Sequence, residues 1–481
     1  MIQLRPIFFS LGLMLCTIAA AMLLPAIVDL ADGTSDWRVF FTSAIATFFV
    51  GGLLILVANE DEPVKLGIKE GFLLTTLMWV VLTTAAAVPF AGLGLSYTDA
   101  FFEAMSGLTT TGSTVLTQLD QLPRGILLWR ALLQGLGGLG IIVMALIMLP
   151  FLRVGGMQLF QMEHSDRSEK VVPRAVELVI LILGIYATFT VTCIILYASF
   201  GMTLFDAICH GLTTVSTAGF STHDESFGFF RNPMLDWICI VFMILGALPF
   251  VVFIKAIRGS NRSLLEDTQV RGFLLFLVTI CLIMTMWLIA IRGMDPADAL
   301  RIATFNVTSI ITTTGYASAD YTTWGAFSVG LFFMLMFVGG CSGSTCGGIK
   351  IYRLQIMGLL TRSHFVHLMS PNRVVTLVYN GKRLPADVPF SVVAFLAIYM
   401  ATVGIFTVIL SAMGLDLVTA LSAATQAIGN VGPGLGDTIG PAGNYSALPA
   451  GAKWALAFAM MLGRLELFTV LVLFRIEFWR G

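Results

Sequence analysis

Four short apolar segments, each followed by a loop of small residues that ends in glycine, limit the folds open to this chain. The loops end at Gly112, Gly219, Gly315 and Gly432. A single T-T-T-G, as found before Gly112 and Gly315, is typical of an ordinary turn. Four related loops in matching surroundings instead predict four equivalent units arranged as a ring.

The amino-acid composition of the chain indicates the environment of this ring. Of the 481 residues, 57% are hydrophobic and 11% are charged, and the mean hydropathy is +0.91. A soluble domain is roughly 45–50% apolar and about 25% charged. The chain is therefore predicted to be a polytopic membrane protein, and its formal net charge of -1 provides no positive field for binding nucleic acid.

The short segments are too short to cross a bilayer. They are predicted at Tyr97–Leu108, Leu204–Thr214, Ala297–Ile311 and Leu417–Ala427. At about 1.5 Å per residue, segments of roughly 11–15 residues cover only about half of a ~30 Å membrane core, so each must enter and turn back. Since non-helical backbone at membrane depth is tolerated only inside protein or beside water, the loops are predicted to line a cavity.

Longer apolar runs are predicted to span the membrane. Two of them, Pro6–Leu30 and Trp37–Ala58, open the chain. The first continues past the alanine run 19–21 to the ~20 residues that cross a bilayer, which favours a spanning helix over a signal peptide. The two helices occupy residues 1–60, and four units follow at residues 61–170, 171–265, 266–385 and 386–481.

Each unit consists of a spanning helix, a re-entrant half-helix, a glycine-ended loop and a second spanning helix. The first helices are predicted at Gly67–Gly92, Ala175–Phe200, Gly272–Ile291 and Pro389–Met413. The second helices are predicted at Gly125–Phe151, Leu235–Ile254, Ala326–Val338 and Gly451–Phe474. The whole is an all-α polytopic fold with ten spanning helices around a central pore.

The basic residues indicate the orientation. Most of the 27 lysines and arginines fall in loops on the side of the N-terminus, so the positive-inside rule predicts that both termini are cytoplasmic and that all four glycine-ended loops face outward. The longest hydrophilic stretch, Pro371–Val388, is short. Any nucleotide sensing is therefore expected from another polypeptide.

No arrangement of residues suggests catalysis or a resident metal. The seven cysteines lie mostly in apolar segments without a C-x-x-C pair, and the five histidines form no H-E-x-x-H. A polytopic membrane enzyme, which needs acid, base, nucleophile or metal ligands clustered at one depth, is the disfavoured alternative. No catalytic residue and no bound organic cofactor are predicted.

The loops suit a dehydrated monovalent cation. Backbone carbonyls arranged in rings supply oxygens of modest field strength, threonine adds a hydroxyl, and glycine can adopt positive φ. The half-helices would direct their partially negative C-terminal ends at the same place. Asp99 and Asp206, at matching positions before two of the loops, either cap a half-helix or concentrate cations at the mouth.

These loops and two further features carry a resemblance to a known family. The matching sequences are T-T-T-G-S at Thr109, S-T-A-G-F at Ser216, T-T-T-G-Y at Thr312, N-V-G-P-G at Asn430, G-G-C-S-G-S-T-C-G-G at Gly339 and the arginine of M-L-G-R-L-E, Arg464. The chain resembles the TrkH/KtrB/HKT superfamily of potassium transport proteins over all four units. With its two extra N-terminal helices it is most similar to the TrkH branch.

The resemblance implies a potassium pore with a selectivity filter. Its potassium ligands would be the backbone carbonyls of Thr110, Thr111, Thr217, Ala218, Thr313, Thr314, Asn430 and Val431, together with Gly112, Gly219, Gly315 and Gly432. In plant relatives a serine in place of the first filter glycine accompanies sodium transport, whereas this chain has glycine at all four positions. The fourth loop has no threonine, which weakens the case for a strictly fourfold site.

The glycine-rich segment, residues Gly339–Gly348, interrupts a long apolar run. Its glycines are Gly339, Gly340, Gly343, Gly347 and Gly348, and each disfavours helix by about 1 kcal/mol relative to alanine. A break at this depth requires water or protein beside it. The segment is either a kink at a close helix contact or, as the resemblance implies, a gating loop under the filter.

Arg464 lies among apolar residues of the last helix, where a charge costs at least ~2.5–3.5 kcal/mol. Glu466 is two residues further on and faces another side of a helix. We predict that Arg464 faces the pore and meets the glycine-rich segment as part of the gate. The alternative is an ion pair with a carboxylate on another helix.

The resemblance also implies partners. These are a second copy of the chain, surrounding membrane lipid, and a soluble nucleotide-binding regulator of the TrkA kind, in the bacterial cytoplasmic (inner) membrane. The basic segments Arg153–Arg174, Lys255–Arg271 and Lys350–Arg383 are candidate contacts for the regulator, or they set topology alone.

A transporter that couples potassium to protons or sodium is a further alternative. The small number of buried carboxylates disfavours it, because proton relays use Asp, Glu or His side chains, but Glu103 and Glu466 are two candidates for such a relay.

Overall fold

A computed structural model describes residues 2–59, 67–148, 171–259 and 263–480. Within these ranges the regular secondary structure is helical apart from an isolated bridge between Val338 and Ile349 and one antiparallel hairpin, in which β1 (Val378–Tyr379) pairs with β2 (Lys382–Arg383). The predicted all-α polytopic fold is confirmed. The predicted unit boundaries at 60/61 and 170/171 lie outside the described residues, and the division into units stays a prediction.

The helices follow the order expected from the apolar runs. The N-terminal pair is α1 (Leu4–Ala31) and α2 (Trp37–Ala58). The first helices of the four units are α3 (Ile68–Gly92), α6 (Val171–Ser199), α11 (Thr268–Arg292) and α15 (Asp387–Ala412). The half-helices are α4 (Tyr97–Leu108), α7 (Leu204–Val215), α12 (Pro296–Ile311) and α16 (Leu417–Gly429).

The half-helices have 12, 12, 16 and 13 residues, so none can cross a membrane core of ~30 Å. Each begins at a capped end. The caps are Ser96, Thr203, Asp295 and Asp416, whose side chains accept a first-turn backbone N–H. Asp99 and Asp206 accept hydrogen bonds from the Ser96 and Thr203 hydroxyls at 2.7 and 2.6 Å, so both belong to the capping arrangement.

The second helices of the units differ from one another. They are α5 (Arg124–Met148), the pair α8 (Pro233–Ala247) and α9 (Phe250–Ile257), the pair α13 (Ala326–Leu335) and α14 (Ile351–Met369), and the pair α17 (Ala450–Arg464) and α18 (Phe468–Leu471). Two short helices, α10 (Ser263–Glu266) and α19 (Ile476–Trp479), lie outside this scheme.

The prediction of continuous helices over Leu235–Ile254 and Gly451–Phe474 was wrong. The chain bends by 92° between α8 and α9, and by 106° after α17. Pro249 lies at the first bend and lacks the N–H that a continuous helix needs. At the second bend Glu466 and Leu467 have φ values of 56° and 54°, which lie outside the helical region.

Seven described helices are long and apolar enough to cross a membrane, or up to nine if each bent pair counts as one span. The tenth span predicted from the sequence corresponds to α13 and α14, which the glycine-rich segment separates. Many large apolar side chains on the N-terminal pair are exposed, among them Phe48, Leu56 and Val57. In a helix of this hydropathy such side chains are suited to contact with lipid.

Candidate functional site

The four glycine-ended loops have one backbone conformation. We number them loop 1 (residues 109–112), loop 2 (216–219), loop 3 (312–315) and loop 4 (429–432). The second residues, Thr110, Thr217, Thr313 and Asn430, have φ values of 53°, 50°, 56° and 54°. Positive φ is uncommon outside glycine, and for a β-branched threonine it is a genuine outlier. Its occurrence at one position of four loops indicates that a shared geometry imposes it.

Hydrogen bonds at the ends of the half-helices explain this conformation. In loop 1, Thr110 N donates to Gly107 O at 3.0 Å and Thr111 N donates to Ser106 O at 2.9 Å. The same two bonds recur in the other loops, with Ala218 N to Thr213 O and Thr314 N to Ser309 O at 2.9 and 2.8 Å. This pair of bonds satisfies the last helix carbonyls and requires a left-handed residue between helix and loop.

The loops contact one another in cyclic order. Each final glycine faces the carbonyl oxygen that precedes the final glycine of another loop: Gly112 faces Ala218, Gly219 faces Thr314, Gly315 faces Val431, and Gly432 faces Thr111. A Cβ on Gly432 would lie 2.9 Å from the Thr111 oxygen, and the other three approaches are closer. The four loops thus form a closed ring in which a side chain on any final glycine would collide with a neighbour.

The ring forms one wall of a cavity of about 180 Å³ that all four final glycines line. Ser113, Arg130, His223 and Asp224 also line this cavity. The sequence prediction that the loops line a shared cavity therefore agrees with the placement of these glycines.

The loops are braced by side chains within the ring. Hydroxyl pairs join Thr109 with Thr111 in loop 1 and Thr312 with Thr314 in loop 3, both at 2.8 Å. Loop 4 lacks threonine, and Asn430 Nδ2 instead donates to Thr111 Oγ1 at 2.9 Å. Loops 1 and 3 are thus braced by a hydroxyl pair within each loop, whereas loop 4 is braced by an amide contact with loop 1.

The glycine-rich segment lies against the ring. Thr345 Oγ1 is 3.0 Å from Thr217 Oγ1, and Gly347 N donates to Thr313 Oγ1 at 2.8 Å. A Cβ on Gly347 would lie 2.9 Å from the Asn430 Cβ. The segment thus touches loops 2, 3 and 4, and the contact at Gly347 leaves no room for a side chain.

The bend between α8 and α9 holds the same segment from its other side. Cys341 N donates to Ala247 O at 2.9 Å, and Thr345 N donates to Gly246 O at 3.2 Å. A continuous helix would use these two carbonyl oxygens for its own hydrogen bonds. The bend leaves both oxygens free to accept other hydrogen bonds. The bend between α8 and α9 in the second unit therefore holds the glycine-rich segment of the third unit in place.

Arg464 contacts the glycine-rich segment. Its Nη1 donates to Thr345 O at 2.9 Å, and the residue is 3% exposed. Among the described residues no carboxylate pairs with Arg464; Glu466 instead lies 2.6 Å from Arg353 Nη2. Arg464 is also the last residue of α17 and not the middle of a long helix, which corrects the prediction.

Sequence reasoning missed two further cations beside the segment. Lys350 Nζ donates to Cys346 O, and the Arg353 guanidinium lies over the Phe395 ring at 3.6 Å. Both residues are buried. The sequence I-K-I-Y-R directly after the glycines could have indicated these contacts, because two basic residues next to a break at membrane depth require buried partners.

Glu103 also belongs to a buried ion pair. Its Oε1 lies 2.8 Å from Arg130 Nε, and the two side chains are 0% and 2% exposed. Arg130 Nη1 donates to Ser221 O at 2.7 Å, while Val115 N donates to Glu103 Oε2 at 2.9 Å. The pair therefore joins the segments that follow loops 1 and 2.

His223, near the mouth of the cavity, bridges two carboxylates. Its Nδ1 contacts Asp120, its Nε2 lies 3.5 Å from Asp206 Oδ1, and its ring stacks on Phe229. Burial alone would lower the pKa of His223, but its interactions with the carboxylates of Asp206 and Asp120 outweigh it and raise this pKa. Burial would raise the pKa of Asp120, yet the bond from His223 holds it below its ordinary value.

The described residues contain no group of three or more His, Cys, Asp or Glu side chains that could hold a metal ion. The ring of loops inside a multi-pass helical fold points to the class of membrane transport proteins. Residues 37–480 match the model of the family described as TrkH, cation transport protein. The chain belongs to the TrkH family, which confirms both the predicted family and the prediction that the chain is not an enzyme.

Similar proteins cover the chain from end to end. It is 45% identical over 479 residues to the Trk system potassium uptake protein TrkI of Halomonas elongata, covering 99% of this chain and 97% of that protein. It is 33% identical to the Trk system potassium uptake protein TrkG of Escherichia coli, covering 99% of each. The crystal structure of the potassium transporter TrkH from Vibrio parahaemolyticus superposes with a TM-score of 0.91 at 34% identity, covering 99% of this chain and 100% of that one.

Proposed function

We propose that this chain takes up potassium across the bacterial cytoplasmic membrane through the ring of four loops. The closed cyclic contact of the loops around one cavity is the observation that carries the proposal. The names of the relatives support potassium as the ion, since they are potassium uptake proteins. In the proposed orientation both termini are cytoplasmic and the loops open to the outside.

Carbonyl oxygens of the loops would replace the hydration shell of the ion. The proposed ligands are the carbonyls of Thr110, Thr111, Thr217, Ala218, Thr313, Thr314, Asn430 and Val431, with the final glycines of each loop. Each loop begins where a half-helix ends, so four partially negative helix termini face the same site and favour a cation there. Close contact between the loops holds the carbonyls in position without a side chain between them.

The glycine-rich segment is proposed as the gate, with Gly339, Gly340, Gly343, Gly347, Gly348 and Arg464 as its residues. It lies against three loops and contains no helix, because α13 ends at Leu335 and α14 begins at Ile351. A non-helical segment can change its path without unwinding a helix. The structure of this segment therefore suits a closed barrier that opens by displacement.

Charge adds to this barrier. Arg464 and Lys350 bind the successive carbonyl oxygens of Thr345 and Cys346, while the nearby Arg353 is paired with Glu466. Neither Arg464 nor Lys350 forms an ion pair within the described residues, although Glu466 interacts electrostatically with Lys350 as well as with Arg353. Like charges repel strongly where water is scarce, so a potassium ion is opposed at this level until the segment moves.

A partner would control the movement. The relatives are named as parts of a system, and we propose a soluble nucleotide-binding regulator of the TrkA kind and a homodimer. Lys255–Arg271 and Lys350–Arg383 are the proposed contacts. In the second segment the exposed basic residues are Arg362, Arg373, Lys382 and Arg383, and the end of α14 exposes Phe365, Leu368 and Met369 beside Arg362. Most of the third proposed contact, Arg153–Arg174, lies outside the described residues.

Coupling to protons or sodium is the alternative mode of transport. A proton relay needs carboxyl groups or histidines free to exchange protons along the pathway. Glu103 and Glu466, the two carboxylates that supported this alternative, are bound to Arg130 and Arg353. The geometry therefore favours a gated potassium pathway over a coupled transporter.

Flux through purified protein in liposomes tests the proposal. We expect potassium and rubidium to permeate and sodium to permeate far less, with flux rising when the glycine-rich segment is deleted. Absence of cation flux even from the deletion variant would overturn the proposal. Uphill potassium accumulation driven by an imposed proton gradient would establish the coupled alternative.

A further inference from the structure

Loop 2 lacks the brace that loops 1 and 3 share. In those loops the first and third residues are threonines whose hydroxyls pair at 2.8 Å. The third residue of loop 2 is Ala218, which has no hydroxyl, and the Ser216 hydroxyl donates to Leu212 O at 2.8 Å. The loop therefore needs a brace from outside itself to hold the same backbone position.

Gln134, on α5 of the preceding unit, makes two hydrogen bonds at the end of loop 2, one with the loop and one with the residue that follows it. Its Nε2 donates to Ala218 O at 2.7 Å, and its Oε1 accepts from Phe220 N at 2.9 Å. The two bonds lie on either side of Gly219. Gln134 is fully buried, so water does not compete for either bond.

The orientation of the amide follows from its partners. Phe220 N can only donate, so the amide atom beside it must be the oxygen. The amide nitrogen then faces Ala218 O, which can only accept. Reversing the amide would place two donors together and two acceptors together, so a single arrangement satisfies the site.

We propose that Gln134 is a positioning residue that sets the ion preference of the filter at loop 2. This inference rests on the proposed function, in which Ala218 O is one of the ion ligands. A carbonyl oxygen has two lone pairs, so Ala218 O can accept from Gln134 and still contact a cation. The bond fixes where this oxygen lies and reduces its field strength, and both properties govern discrimination between potassium and sodium.

The two hydrogen bonds of Gln134 also explain how loop 2 can hold its position with an alanine where loops 1 and 3 have threonine. Gly112 of loop 1 faces the same Ala218 oxygen, so a displaced carbonyl would disturb the contact between loops 1 and 2. Gln134 belongs to the unit of loop 1 and holds the loop of the next unit. It therefore couples the two units at the level of the filter.

Three variants test the inference in the full-length protein. Gln134→Leu keeps the approximate volume and removes both hydrogen bonds. Gln355→Leu is the matched control, because Gln355 makes comparable bonds to Thr268 O at 2.9 Å and Tyr379 Oη at 2.6 Å, away from the ring. The double variant Gln134→Leu with Ala218→Thr restores a hydroxyl that can pair with Ser216.

The measurements are rubidium flux into liposomes with sodium as competitor, and the shift in melting temperature that potassium or sodium produces in detergent. We expect Gln134→Leu to reduce the preference for potassium over sodium about fivefold, consistent with the loss of one or two buried hydrogen bonds. Gln355→Leu should leave the preference unchanged, and the double variant should recover part of it. If Gln134→Leu does not fold, Gln134→Asn takes its place, since the shorter amide cannot reach both partners.

An unchanged potassium preference in a folded Gln134 variant would overturn the inference, as would an equal loss in Gln355→Leu or a folded double variant with no recovery. Failure of the proposed function looks different. In that case the wild-type protein itself would show no selective flux and no potassium-dependent shift in melting temperature. The wild-type sample in the same experiment therefore separates the two failures.

Discussion

Arg464 Nη1 donates a hydrogen bond of 2.9 Å to the carbonyl oxygen of Thr345, and the hydroxyl of the same Thr345 touches Thr217 in loop 2 at 3.0 Å. One residue of the glycine-rich segment thus connects a buried cation to the ring of loops. A displacement of the segment must break both contacts. In the proposed gating mechanism, the contact between Arg464 and Thr345 is present in the closed pathway and lost in the open one.

Replacing Arg464 by alanine should increase basal potassium flux. The substitution removes a buried positive charge and a bond that holds the segment under the ring, and each ~1.4 kcal/mol taken from a barrier raises a rate about tenfold. Arg258→Ala is the control, since Arg258 forms an exposed pair with Glu177. Flux into liposomes at equal protein density checks the prediction, and unchanged flux in Arg464→Ala would exclude a barrier role for this residue.

Replacing Gly315 by alanine should reduce potassium flux by about tenfold or more. Gly315 has a φ of 84°, which costs about 1–3 kcal/mol for other residues, and a Cβ would collide with Val431 O. Gly330→Ala is the matched control, because Gly330 lies in α13 with no atom within 4 Å of an added Cβ. Equal flux in the two folded variants would contradict close packing of the ring.

Replacing Glu103 by glutamine should destabilise the protein. Arg130 would remain charged and buried without its carboxylate, and breaking a buried pair costs about 3–5 kcal/mol. Glu225→Gln removes a carboxylate from an exposed pair, with Arg231 at 3.7 Å, and should have little effect. Thermal unfolding in detergent compares the two variants, and equal melting temperatures would show that the buried pair is not needed for stability.

Stability should depend on pH through His223. The pKa of this histidine is raised in the folded protein, so its contribution is fully present below its ordinary value of about 6.5 and is lost as pH rises through the raised value. The melting temperature should therefore fall as pH rises through that value. His223→Gln should flatten the dependence, whereas His364→Gln, exposed on α14, should not. A wild-type slope retained in His223→Gln would contradict the prediction.

Local properties of the chain determined the arrangement of helices. The predicted bounds Trp37–Ala58 and Tyr97–Leu108 coincide with α2 and α4, because the length of an apolar run and the residues at its ends are both readable from neighbouring positions. The loops were found in the same way, since glycine and small residues directly after a half-helix specify a tight backbone turn.

Only the tertiary structure decided which distant groups meet. The pairs Arg353–Glu466 and Arg130–Glu103 and the hydrogen bond from Gln134 to Ala218 join residues far apart in the chain. Each depends on the burial of polar groups that must find partners, and a buried group takes whichever partner the packing of helices brings within reach. The sequence therefore determined that four loops form one site, and the packing of the helices decided which residues hold that site in place.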